Sequence, residues 1–411
     1  TFKDNKSGMN GGAIGTRLAL EVDKDGLYTG VEHNNSAKLD IAATFEGNEA
    51  LKDGGAIYNT FWNDNGLGKG KGVTVTGHFE ENKAGHFGGA IYNDGTKDKN
   101  EKGGVMTINS ASFEENEAYY GGAIFNFFGT MDILGTDVDK VEFEDNVAYV
   151  GGAFSDFQKS TSYPDMESKT VIKKAKFVNN HAAADAGAAG FYGTVDVEDT
   201  VFSGNTAAIS IKDVVDADVG NSDGGGAIQV GGTSDVSLTR VDFEKNKSGA
   251  RGGAIAARHG VGYALDIDTA SFKLNESANF GGAIANVYGG SVNMSDVDFD
   301  TNSAVKAGGA IYNGKDINYG SGSGILSTNN GILNFDGVNT FVGNSAGEYG
   351  GAIYNDGGGT INMTGTNTFS DNYAGKYNAL NDIHNLGTLN VKSGTTSIGG
   401  GITGDGTLNV A

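Results

Sequence analysis

The sequence predicts an all-β fold, a parallel β-helix (β-solenoid) of three strands per coil and about 12–13 coils. Three observations predict it. Twelve times along the 411 residues a Phe is followed three places later by an Asn, from Phe2/Asn5 and Phe45/Asn48 to Phe341/Asn344 and Phe369/Asn372. Ten Gly-Gly-Ala-apolar tetrads, the first at Gly11 and the last at Gly350, usually begin eight or nine residues after such a Phe. The shortest spacings from one Phe to the next, 25 to 29 residues, are what strands of roughly five residues and three corners consume. Longer spacings read as the same coil with an insertion.

Each piece of the coil has a physical reason. One strand ends at the Phe: Val236, Leu238, Val241 and Phe243 are apolar amid polar neighbours, as are Val292, Met294, Val297 and Phe299. Alternation by two is the signal of a half-buried strand. A second strand is the tetrad and its followers, as in Gly88-Gly89-Ala90-Ile91-Tyr92-Asn93. Its fourth position is Ile, or Phe154 once, and should point inward. Its fifth, variously Tyr58, Tyr92, Phe125, Ser155, Gln229, Ala256 or Tyr312, tolerates such variety that it should point outward. A third, such as Gly359-Thr360-Ile361-Asn362-Met363 or Gly387-Thr388-Leu389-Asn390-Val391, leads into the next Phe strand.

One coil cannot bury its own apolar face, but stacked coils can, through columns that include Phe79 and Phe113, and Ile91 and Ile124. The pairs Gly88-Gly89 and Gly121-Gly122 let the backbone turn a tight corner. Asn82 and Asn116 recur at the corner after the Phe, where stacked amides can hydrogen-bond one another in a ladder. Right-handed crossover between parallel strands is the default expectation.

The interval from tetrad to next Phe is the variable one: 22 residues from Gly121 to Phe143, but 34 from Gly11 to Phe45. The insertions 15–37, 60–72, 94–103, 156–169 and 314–329 therefore leave from one corner. Loops on one side of a solenoid are the usual seat of binding; the plainer reading is that this corner tolerates insertion. After Phe177 the tetrad degenerates to Gly187-Ala188-Ala189-Gly190, and after Phe202 an insertion, 209–223, precedes the tetrad. The expected organisation is one solenoid over 1–411, with regular coils at 1–176, irregular middle coils at 177–230, regular coils at 231–376 and C-terminal coils at 377–411.

Composition narrows the function. Gly is 69 of 411 residues, without a third-residue period and with a single Pro, which excludes collagen. A formal net charge of −22 makes nucleic acid a poor partner. With no Cys, disulfide scaffolds, zinc–thiolate sites and Cys nucleophiles drop out. No apolar run approaches the roughly 18 residues of a spanning helix, so no direct membrane insertion is expected. The chain opens inside a repeat, at Thr1-Phe2, as a processed product or an excerpt of a longer protein would.

Glu46, Glu80, Glu114 and Glu144 follow the Phe in four successive coils, and Glu81, Glu115 and Asp145 come next. In register these make a like-charge ladder: a solvated face, or a strip that binds a cation, for which calcium is the expected ion. No other cofactor is expected. The Gly-Gly-x-Gly-x-Asp calcium repeat is missing. No two of the six His have metal-ligand spacing, and no histidine metal centre is expected, although His78 and His86 share a coil. No Gly-x-Ser-x-Gly elbow nominates a triad, and Gly224-Gly225-Gly226 lacks the Lys and helix of a phosphate loop. Tyr58, Tyr92, Tyr312 and Tyr354 read as exposed aromatics, able to stack on sugars or to shield a neighbouring coil.

Phe-x-x-Asn with Gly-Gly-Ala-Ile, repeated from Phe2 to about Ile353, resembles the repeat of the polymorphic outer membrane proteins of chlamydiae, here in a Cys-free chain. The resemblance implies an autotransporter-type passenger, extracellular or at the bacterial cell surface, implicated in adhesion. The leading expectation is a non-enzymatic adhesin-like passenger whose partner is a host or bacterial surface protein or glycan. The alternative is a filament subunit stacking head to tail, with Thr1, Phe2, Asn5, Leu408 and Val410 at the end-to-end interface. A minor alternative is a polysaccharide-cleaving β-helix enzyme, for which Asp185 and Asp223 mark the place to look.

Overall fold

The computed structural model describes residues 1–16, 39–60, 72–95, 104–157, 167–208, 224–315 and 331–411. They form a parallel β-helix of three long sheets of 19, 13 and 13 strands. The thirteen stacked parallel strands of the third sheet mean thirteen coils, while the second sheet counts twelve plus one hairpin strand. No helix occurs among the described residues. Every strand pairing is parallel except that of Tyr373–Ala374 with Ala379–Leu380, where a small hairpin interrupts the stack.

A single coil shows the plan. Val105–Glu114 lies in the first sheet, Glu117–Tyr120 in the second and Ile124–Phe127 in the third. Phe113 and Ile108 point into the core from the first strand, Ala118 from the second and Ile124 from the third. Between the first two strands the chain turns through Glu115, in the left-handed region at φ 53°. Between the second and third it turns through Gly121, at φ 61°. At Gly122, a Cβ would sit 2.0 Å from the carbonyl oxygen of Gly152 in the next coil, so the close approach of stacked coils admits only glycine.

The division of strands differs from the sequence expectation in one respect. The segment leading into the next Phe is not a face of its own: Thr360–Met363 and Thr366–Ser370 both belong to the first sheet. A left-handed residue bends that sheet midway, at Lys174, Asp199, Arg240, Thr269 and Asp296, and a glycine does so at Gly337 and Gly365. The missing face is made of short strands just after the Asn, such as Glu49–Ala50, Lys83–Ala84 and Ser345–Ala346. Their inward residue is small and buried, Ala50, Ala84, Ala118, Ala148 and Ser248 among them.

The core is built of columns. Twelve phenylalanines, Phe2 through Phe369, stack ring on ring with neighbouring centroids 4.4 to 5.1 Å apart. Parallel in-register strands fix that spacing, and offset stacking adds to the area buried. Beside them runs the tetrad column, with Ile57, Ile91, Ile124, Phe154, Ile228, Ile255, Ile284, Ile311 and Ile353 all fully buried.

The Asn after each Phe forms a continuous ladder. Asn82 shows the pattern: its Nδ2 donates to Asn116 Oδ1 at 2.9 Å and to the carbonyl of Phe45 at 3.0 Å. Its Oδ1 accepts from the backbone N–H and the Nδ2 of Asn48. The same links run from Asn5 through Asn48, Asn82, Asn116, Asn146, Asn180, Asn205, Asn246, Asn275, Asn302 and Asn344 to Asn372. Eleven of these side chains are fully buried, a burial tolerable because each amide is satisfied.

Candidate functional site

The ends of the described segments place the insertions. Residues 17–38, 61–71, 96–103, 158–166 and 316–330 all lie between a strand of the third sheet and the next strand of the first. Residues 209–223 lie instead between the second and third sheets. The five expected one-sided insertions and the sixth fall largely on these spans, outside the described residues, as does Asp223.

What borders that corner is described. In the fourth coil the chain crosses it without an insertion, through Phe127, Phe128 and Gly129, with Phe128 held at φ 54°. Phe127 and Phe128 pack with centroids 4.6 Å apart, and Phe157 of the next coil closes a triangle at 4.9 and 5.2 Å. Phe157 remains 39% exposed. This aromatic group lies between the insertions 96–103 and 158–166. The positive φ at a Phe rather than a Gly is a strained choice of residue, and sequence periodicity carries no sign of it.

The expected exposed aromatics need correction. Tyr58 stacks on Tyr92 at 5.3 Å and Tyr312 on Tyr354 at 5.4 Å, on the outward side of the third sheet. Tyr92 and Tyr312 are nonetheless buried. Phe87 and Phe125 cover the first and Phe280 packs on the second. Burial pushes the Tyr92 hydroxyl well above the ordinary phenol range. These rings form a second apolar layer outside the sheet, not a free stacking platform.

The expected acidic ladder is in register. Glu46 pairs with Glu80, Glu80 with Glu114 and Glu114 with Glu144 across adjacent strands of the first sheet. Glu81, Glu115 and Asp145 occupy the left-handed corner position beside them, at φ 52°, 53° and 52°. They line an open groove of about 730 Å³ together with Glu49, Lys83 and Glu117. The neighbouring outward column on the second sheet alternates in charge instead: Lys6, Glu49, Lys83, Glu117, with Lys6–Glu49 at 2.6 Å and Lys83–Glu117 at 2.8 Å. Partial burial, then repulsion from Asp145, Glu114 and Glu142, holds the Glu144 carboxyl above its ordinary range.

Contrary to expectation, a histidine joins this strip. His78 and Glu80 flank the buried Phe79 and so face outward together, and Ser112 and Glu114 face them across the strand pair. His78 Nδ1 lies 2.7 Å from Ser112 Oγ, and Nε2 lies 3.2 Å from Glu80 Oε2. One ligand atom each from His78, Glu80 and Glu114 lies within 4.8 Å of the others. His78 and Ser112 are 34 positions apart, so only strand register brings them together.

Where the last regular coil before 177 meets the irregular middle coils lies a buried polar group of another kind. Asp156 is 1% exposed. Its Oδ1 accepts the backbone N–H of Tyr192 at 2.6 Å and of Gly193 at 3.2 Å, while its Oδ2 has no hydrogen-bond partner among the described residues. Burial pushes its carboxyl up to about 8, the two backbone donors opposing the shift. Asp185 closes the strand His181–Asp185. The expected end-to-end residues lie on the first and last coils: Phe2 stacks on Phe45, and Leu408 and Val410 are exposed on the strand Thr407–Val410.

No curated protein and no solved structure matches the chain. A family description does. The Chlamydia polymorphic membrane protein repeat matches at residues 42–60, 78–94, 199–231, 296–314 and 340–356. Four of these spans run from the Phe strand through the Asn ladder to the tetrad strand, and the other does so across the 209–223 insertion. This chain is thus a parallel β-helix that carries Chlamydia polymorphic membrane protein repeats, the repeats of a family of surface-exposed, autotransporter-type proteins.

Proposed function

We propose that this chain is a non-enzymatic, surface-displayed passenger that attaches to a protein or glycan through the corner between its third and first sheets. The observation that carries the reading is the placement of five of the six spans of insertion at that corner, two of them, 96–103 and 158–166, leaving from the coils on either side of the aromatic group of Phe127, Phe128 and Phe157. A rigid solenoid holds its loops at fixed spacing, and loops on a rigid scaffold are where binding residues concentrate. Aromatic side chains supply large contact area at small entropic cost. The repeat's family supports display at the cell surface.

The test uses the full chain, purified, against a panel of host-cell and bacterial surfaces and a glycan array. Replacing 96–103 and 158–166 with short turns, or combining Phe128→Ser with Phe157→Ser, should abolish the binding of the unaltered chain. Undiminished binding by these variants, with circular dichroism unchanged, would overturn the reading.

A further inference from the structure

We propose that His78, Glu80 and Glu114 form a binding site for a divalent transition metal of the zinc class. The ligand types come first. One imidazole and two carboxylates are a donor set that zinc-class ions accept, whereas calcium and magnesium take oxygen alone. All three side chains leave the same outward face of two hydrogen-bonded strands, so the backbone fixes their origins. Donors on one ion, at bonds of about 2.0–2.2 Å, lie up to about 4 Å apart. The observed limit of 4.8 Å closes by a small side-chain rotation.

The second argument is the role of Ser112. Its hydroxyl lies 2.7 Å from His78 Nδ1, which leaves Nε2 facing the carboxylates. An outer partner that fixes one ring nitrogen and so presents the other is the usual support of a metal-ligating histidine. The side chains of His78 and Glu80 are 34% and 40% exposed, so water can reach the remaining coordination positions.

The third argument is charge. Carboxylates stacked in register on adjacent strands repel. Some carboxylates of this surface have a cationic partner: Glu46 pairs with Lys3, Glu142 with Lys176 and Glu117 with Lys83. Glu114 stands between Glu80 and Glu144 with no cationic side chain paired to it among the described residues. A bound dication would supply the missing charge. The inference does not depend on the adhesive reading.

Calorimetric titration of the full chain, tag-free and chelator-treated, with zinc chloride and separately with calcium chloride tests the site. Zinc should bind at one ion per chain, well ahead of calcium, and raise the melting temperature. His78→Ala, Glu80→Gln and Glu114→Gln should each weaken zinc binding roughly tenfold or more, with the metal-free melting temperature little changed because the side chains face outward. Ser112→Ala should weaken it less, at the same stoichiometry. Cobalt substituted for zinc should give a visible absorption band that His78→Ala abolishes. Absence of zinc binding, an affinity indifferent to His78→Ala, or calcium binding as tightly as zinc would each overturn the proposal.

Discussion

Two corners of the same coil treat the chain in opposite ways. The corner after the Phe carries an unbroken amide ladder of twelve asparagines and accepts no insertion in any coil. The corner after the tetrad strand also has asparagines, linked from Asn59 through Asn93 to Asn126 and from Asn286 through Asn313 and Asn355 to Asn385. Between those runs the same register position is held by Asp156, Phe191, Val230 and Ala257. At this corner the insertions leave. A buried amide whose four hydrogen bonds are all made inside the stack leaves the backbone no freedom to lengthen. The second ladder leaves room for insertion even where it is intact: 61–71, 96–103 and 316–330 follow Asn59, Asn93 and Asn313, and 158–166 follows Asp156. Stability is concentrated at one corner and variation at another.

The comparison breaks most severely if the continuous ladder is cut. Asn116→Ala would leave the backbone N–H of Asn82 and one of its two Nδ2 hydrogens unpaired, and the carbonyl of Phe79 would lose its side-chain donor. Buried groups left unpaired cost about 1–3 kcal/mol each, so urea unfolding should show a loss of about 3 kcal/mol or more. Asn385→Ala, at the end of the interrupted ladder, should cost clearly less. Gly122→Ala comes next: its Cβ would collide with the carbonyl oxygens of Gly152 and Val147, at 2.0 and 2.6 Å. About 2–4 kcal/mol is expected from the strain, read in the same experiment.

Asp156→Asn should act in the opposite direction and with pH. The native carboxyl titrates near 8, against 3.8 in the unfolded chain. The unfolded state therefore releases its proton first as pH rises, and stability falls between those two values. The penalty is absent below about pH 4 and complete above about pH 8. The neutral amide removes it and keeps an oxygen to accept from the backbone N–H groups of Tyr192 and Gly193. A gain on the order of a few kcal/mol at pH 8, shrinking toward pH 4, should appear in melting curves across that range. A gain that does not vary with pH would show that the carboxyl is ionised in the fold. The smallest effect is expected where variation is already tolerated. Excising 96–103 should change stability by less than about 1 kcal/mol, since the next coil makes the same crossing through Phe127–Gly129 alone.

Much of this was legible from residues alone, for a physical reason. Phe79, Asn82 and Ile91 recur because each meets its own copy in the next coil, so the constraint is written once per coil and repetition reveals it. The second sheet was illegible because most of its strands, such as Lys83–Ala84, have only two residues and show no alternation. Burial of Tyr92 escaped notice because the rings covering it, Phe87 and Phe125, lie outside the sheet, where period-two logic assigns solvent. His78 and Ser112 show the same limit. Their meeting depends on the length of the 96–103 insertion as much as on their own positions, and only the register resolves it.

The amide ladder also has a direction. Every Nδ2 points toward the C-terminal coils and every Oδ1 toward the N-terminal ones, so the side-chain dipoles add along the axis as peptide dipoles do in a helix. The column therefore has a positive end, at Asn372. There the sequence supplies no thirteenth amide but a carboxylate: Asn372 Nδ2 donates to Asp382 Oδ1 at 2.8 Å, and Asp382 is fully buried. An anion closes the positive pole of the array, a capping charge for a solenoid built on the same electrostatics as the acidic cap of an α-helix.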